Sequence, residues 1–126
     1  MKTIQTLDAP QAIGPYSQGQ IVGDLHFFSG QIPLDPQTGE MVGETIAEQT
    51  DQVMKNIKAL LESCGGNYSN IVKTTIFTTD LGGFAELNEA YSAALGEVCP
   101  ARSCVEVAAL PKNALVEIEM IAEIKK

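Results

Sequence analysis

The 126-residue sequence is short of positive charge: eight Lys and Arg stand against sixteen Asp and Glu, for a net charge of -8. That balance repels phosphate backbones and anionic lipid unless basic side chains cluster, and no Lys/Arg cluster is visible. Histidine occurs once, at His26, with no partner at metal-ligand spacing, so His26 reads as structural and no metal is expected. The three cysteines, Cys64, Cys99 and Cys104, form no CxxC pair, and an odd, scattered count makes a poor disulfide framework. Free thiols in a reducing cytoplasm are the expectation. No run approaches the roughly 20 apolar residues needed to span a bilayer, and Met1-Lys2-Thr3-Ile4-Gln5 has no apolar signal core. A soluble cytoplasmic protein without nucleic-acid or membrane partners is therefore expected. Also missing are GxGxxG, a P-loop and GxSxG, so dinucleotide, nucleoside triphosphate and acyl-enzyme chemistry have no motif behind them.

What is present suffices for one core: 44% of residues are hydrophobic in a chain of 13.4 kDa, which implies a single domain over residues 1–126. A strand over Lys2 to Thr6 leads into the turn-rich Ala9 to Pro15, and Gln18 to Val22 with Leu25 to Ser29 reads as a hairpin across Gly23-Asp24. A loop punctuated by Pro33, Asp35-Pro36 and Thr38-Gly39 follows. Apolar residues at Ile46, Val53, Met54, Ile57, Leu60, Leu61 and Cys64 predict a helix that Gly65-Gly66 ends. Val72 to Thr78 predicts a strand, and Phe84, Leu87, Tyr91, Leu95 and Val98 a second amphipathic helix. Two strands, in Pro100 to Val107 and Val116 to Ala122, close the chain. This order indicates an α+β fold, one sheet with both helices on one face.

The last two strands carry the chemistry. Period-2 alternation sets Arg102, Cys104 and Glu106 opposite Ser103, Val105 and Val107, and Glu117 and Glu119 opposite Val116, Ile118 and Met120. Pairing of these strands through the turn near Leu110 to Asn113 would bring a guanidinium beside a carboxylate. Arg102 presents a donor fork matched to a small organic acid, or else forms an internal salt bridge to Glu106, Glu117 or Glu119. Glu117 is a base toward water if desolvation raises its pKa, or else a structural pairing partner. Cys104 has no base beside it and reads as a packing residue. Tyr16 and Ser29 lie beside Gly14 and Gly30, where the backbone allows close approach, although turn chemistry alone also explains these segments. The helix-free sheet face is expected to carry Thr75, Phe77, Arg102, Cys104, Leu115, Glu117, Glu119 and Ile121. It is too apolar for ordinary solvent exposure and calls for cover by another subunit.

Taken together, Ala12 to Gln18, Ser29 to Pro33, Val72 to Phe77, Pro100 to Val105 and Val116 to Glu119 resemble the RidA (YjgF) family of reactive intermediate deaminases over essentially the whole chain. The resemblance implies a chorismate-mutase-like α+β fold with one mixed sheet, and a homotrimer whose sheets form a central barrel with ligand clefts between subunits. It implies hydrolysis of 2-imino acids, such as 2-iminobutanoate and 2-iminopropanoate, or of their enamine tautomers. These arise from pyridoxal phosphate-dependent enzymes, and the products are 2-keto acids and ammonia. It gives Arg102 the substrate carboxylate and Glu117 the attacking water. Tyr16, Ser29, Gly30 and Cys104 line the cleft, with backbone groups of Gly30 and Cys104 as hydrogen-bond partners. No cofactor is implied. Ala94-Leu95 and Cys99 stand where family members often carry bulky residues, which bears on local packing and substrate size. A trimer that binds 2-keto acids without turnover is the alternative. Ribonuclease activity, attached to relatives of the family, is opposed by the acidic charge.

Overall fold

The computed structural model describes residues 1–125. Strands β1 (Lys2–Ile4), β2 (Gly19–Val22) and β3 (Leu25–Gln31) precede helix α1 (Ile46–Ser63). Then come β4 (Ile71–Thr78), α2 (Phe84–Leu95), β5 (Ala101–Glu106) and β6 (Val116–Glu123). The two helices pack side by side against one face of a six-stranded mixed sheet of order β1-β2-β3-β6-β4-β5. No helix among the described residues is long and apolar enough to cross a membrane.

Helix α1 starts where Thr45 supplies a reciprocal cap. Its Oγ1 accepts from the Glu48 N–H at 3.2 Å, and Glu48 Oε1 accepts from the Thr45 N–H at 3.1 Å. The predicted spacing then delivers Val53, Met54, Ile57, Leu60 and Leu61 to the sheet, all buried. From α2 come Leu87, Tyr91 and Leu95, and from the sheet Ile76, Val116, Ile118, Met120 and Ala122. Removing several methylenes from such a position costs about 2–5 kcal/mol, because a packed interior relaxes only in part.

Two expectations about the last strands are overturned. No hairpin joins β5 to β6. Instead β4 lies between them, parallel to β5 and antiparallel to β6. A strand, helix, strand crossover such as β4-α2-β5 forces a parallel pair, which occupies one edge of β4 and leaves the other to β6. The connection from β5 passes over the end of β4, where the Val107 N–H donates to the Thr78 carbonyl at 2.8 Å. It then reverses at Lys112 and Asn113, both left-handed at φ 56° and 57°.

The second correction concerns faces. Arg102 and Cys104 lie level with Thr74 and Ile76, which are fully buried beneath the helices, so both belong to the helix side and not to the open face. The apolar alternation of Ser103 and Val105 looks like a core stripe. It faces outward because β5 is the edge strand and its companions Thr75 and Phe77 already look away from the helices. The open face nevertheless remains apolar, with Phe27 42% and Val105 44% exposed beside half-buried Phe77 and Ile121.

Candidate active site

Strand β3 departs from regular pairing where it meets β6. Phe28 lies opposite Met120 but Gln31 opposite Ile118, so one extra residue is accommodated at Ser29-Gly30. Such a bulge re-aims side chains and opens the ladder locally. Here it brings Gly30 against Glu117, so closely that a methyl group at position 30 would collide with the Glu117 carboxylate. Glycine is required by that approach, not by backbone strain.

The resulting cleft, of about 580 Å³, is lined by Tyr16, Ser29, Gly30, Glu117, Glu119 and Lys112 among others. Ser29 is held in place, its Oγ donating to the Ser17 carbonyl at 2.6 Å and its N–H to the Gln18 carbonyl at 2.9 Å. Buried Gln18 fixes the opposite wall. Its Nε2 donates to the Pro10 carbonyl at 2.8 Å, and its Oε1 accepts from the Thr6 N–H at 2.7 Å. Tyr16 stands exposed at the mouth, with its hydroxyl accepting from the Ile13 N–H at 3.3 Å. Lys112 closes the rim by donating from Nζ to the Gly39 carbonyl at 3.0 Å.

Glu117 is half-buried, and burial pushes its carboxyl above the usual carboxylate range, with the negative charge of Glu119 acting in the same direction. A carboxyl whose pKa is raised in a cleft holds a proton more readily than a free one, which suits it to take and return one. Tyr16, Ser29, Gly30 and Glu117, which the family resemblance implies for one cleft together with Arg102 and Cys104, line this one.

Arg102 and Cys104 are not brought there. Within one chain β4 separates Arg102 from Glu117, and the two side chains occupy opposite faces of the sheet. Nor does Arg102 form the salt bridge considered from sequence. Its Nη1 donates to Asn88 Oδ1 at 2.6 Å, and its guanidinium carbon lies 5.5 Å and 5.4 Å from the ring centres of Phe84 and Tyr91. A second cavity of about 470 Å³, lined by Asn88, Tyr91, Leu95, Cys99 and Arg102, opens beside it. Cys104 packs against the core margin, and burial pushes its thiol up despite the nearby guanidinium, which favours the neutral form over a nucleophilic thiolate. His26 is buried, with Nδ1 3.0 Å from the Asp24 carbonyl oxygen and its ring stacked at 6.3 Å on Phe28.

Three contributors escape a reading of the sequence alone. Lys112 and Glu119 join the cleft through the turn and strand geometry. Asn88 is spaced four residues from Phe84 and three from Tyr91, a helical signal of one common face.

Residues 6–124 match the family model described as Endoribonuclease L-PSP. The chain is 54% identical over 125 residues to AldR of Lactococcus lactis, covering 99% of each protein. It is 51% identical over 124 residues to the 2-iminobutanoate/2-iminopropanoate deaminase of Salmonella typhimurium, covering 96% of each. Among solved structures, RidA from an Antarctic Psychrobacter superposes with a TM-score of 0.94 at 48% identity, covering 98% of this chain and 100% of that one. TdcF of Escherichia coli with bound serine superposes equally well, 0.94 at 44% identity, covering 99% and 100%.

Proposed function

The chain belongs to the RidA family, the one described by the L-PSP model, and from that premise we propose that it hydrolyses 2-imino acids and their enamine tautomers to 2-keto acids and ammonia. The observation that carries the reading is Glu117: a carboxyl raised by burial, seated in a cleft with Tyr16, Ser29 and Gly30. In the iminium form of the substrate, C2 is the electrophile. Glu117 accepts a proton from water as its oxygen bonds to C2, and returns that proton to nitrogen as the C2–N bond breaks. The electron pair of that bond leaves with ammonia, and the second water proton is lost as the C2 hydroxyl becomes the keto oxygen. One acid/base group therefore serves both steps.

Substrates of this class carry a carboxylate, and the Glu117 cleft has no arginine of its own. The placement of Arg102 beyond β4, on the other face of an edge strand, supports a site shared between copies of the chain, with Arg102 of one subunit completing the Glu117 cleft of the next. The apolar open face around Phe27, Phe77, Val105 and Ile121 gives such copies a surface to bury. In this reading the assembly is a homotrimer whose sheets form a barrel, as the family resemblance implies. TdcF, a relative with bound serine, supports a small amino-acid-like ligand. The three free thiols support a reducing, cytoplasmic setting. The net charge of -8 weighs against RNA as substrate despite the family description.

The test generates 2-iminobutanoate in situ from threonine with a dehydratase, traps surviving imine with semicarbazide and follows 2-ketobutanoate. Wild-type protein accelerates its formation, and Arg102→Ala loses most of that acceleration. No acceleration by intact oligomers sinks the deaminase reading in favour of the second one, a 2-keto acid binding module without turnover.

A further inference from the structure

We propose that Asn88 is the positioning residue of the carboxylate anchor: it holds Arg102 in a binding-ready orientation while leaving its positive charge uncancelled. The inference rests on the reading of Arg102 as the substrate-carboxylate ligand. Arginine on an exposed edge strand has a long stem with many rotamers, and ordering it at the moment of binding weakens affinity. Here the ordering is already done. Asn88 Oδ1 accepts from Nη1 at 2.6 Å, the only hydrogen bond of the guanidinium among the described residues. The rings of Phe84 and Tyr91, on the same face of α2, stand 5.5 Å and 5.4 Å from its central carbon.

The cage is itself tied to the sheet. The Tyr91 hydroxyl meets Thr74 Oγ1 at 2.7 Å in the buried layer, and Thr74 lies level with Arg102 in the β4–β5 ladder. Strand, ring, helix and guanidinium therefore close a short circuit in which Asn88 is the one partner that fixes direction. An amide is suited to this where a carboxylate is not. It accepts the hydrogen bond of Nη1 without forming an ion pair, so the guanidinium keeps its attraction for an incoming anion and its other donors remain for a bidentate grip. The second cavity, beside Asn88 and Arg102, gives that grip an open approach.

The experiment measures binding of 2-ketobutanoate by calorimetry, and KM and kcat for 2-iminobutanoate, in Asn88→Leu, Asn88→Asp, Arg102→Ala and the double variant Asn88→Leu/Arg102→Ala. Asn88→Leu is expected to raise both Kd and KM about tenfold with kcat within about twofold, since the carboxylate contact acts equally in ground and transition states. Asn88→Asp restores the acceptor but pairs with the guanidinium, and weakens binding at least as much. Asn88→Leu adds nothing further in the Arg102→Ala background. Asn88→Ser replaces the leucine variant if leucine disturbs α2. A Kd within twofold of wild type, or an undiminished effect of Asn88→Leu in the absence of Arg102, overturns the proposal. Wild type that binds 2-ketobutanoate without turnover overturns the deaminase reading and leaves this one standing. Wild type that binds no 2-ketobutanoate overturns the anchor itself.

Discussion

At the scale of single residues, Glu117 gathers the energetic cost of the site and its use. Its folded-state pKa lies above the unfolded value, chiefly through burial and secondarily through Glu119. As pH rises from the ordinary carboxylate range toward that raised value, the unfolded chain releases a proton that the native chain retains, so native stability falls over this window. Glu117→Gln removes that dependence. The variant is expected to melt higher than wild type at pH 7 while kcat drops about 10²- to 10⁴-fold, with 2-ketobutanoate binding nearly intact. Thermal melts alongside calorimetry check both halves. In the proposed shared site, a guanidinium from the adjacent copy would favour the charged form of Glu117, and a seated substrate carboxylate would offset that attraction. The acid limb of kcat therefore lies at higher pH than that of kcat/KM. Coincident limbs would separate Arg102 from Glu117.

At the scale of elements, the helices were the most legible part of the chain because each has one buried stripe at helical spacing. Val53, Ile57, Leu60 and Leu61 needed no tertiary information to be assigned. The strands were legible as strands, but their order was not. Period-2 alternation records which side chains share a face, and nothing in Ala101 to Glu106 states which neighbour the strand pairs with. The bulge at Ser29-Gly30 was equally hidden, since its signal, a glycine beside a serine, is also that of an ordinary turn. Nothing local to Tyr16, Ser29, Gly30 or Glu117 groups them; only the family resemblance places them in one cleft, which all four line in the fold. Arg102 was placed on the wrong face for the reason that β5, as an edge strand, has little buried surface on either side to betray its orientation.

The cap of α1 offers a test at this scale. The backbone N–H groups of Thr45 and Glu44, followed by the Thr45 hydroxyl, hold the Glu48 carboxyl below its usual pKa. Stabilisation by Glu48 is therefore present above the unfolded carboxylate value of 4.5 and is lost as pH falls through the lowered folded one. Thr45→Ala is expected to cost about 1 kcal/mol at neutral pH, by loss of a side-chain cap. Denaturant melts should show the difference between Glu48→Gln and wild type shrinking as pH falls below 4.5. A difference constant from pH 7 to pH 3 would show that the carboxylate plays no part in the cap.

At the scale of the whole molecule, the chain holds apart the two groups that the proposed reaction needs: the Glu117 cleft lies on one side of the sheet and Arg102, flanked by two rings, on the other. The proposed cyclic assembly would unite them, each subunit lending its Arg102 edge to one neighbour and receiving another's at its Glu117 cleft. The arrangement makes a prediction that no single-chain site shares. Arg102→Ala and Glu117→Gln are each expected to be nearly inactive alone. Unfolded together in equal amounts and refolded as mixed oligomers, they create clefts in which an intact Glu117 meets an intact Arg102 from the adjacent copy. With random mixing around a closed ring, roughly a quarter of the clefts have that composition, and the regained activity should approach that fraction of wild type. Simple mixing of the assembled variants should give far less, since subunits must exchange for the effect to appear. Mixed oligomers confirmed by mass spectrometry yet still inactive would place Arg102 outside the catalytic cleft, and the carboxylate would need another partner.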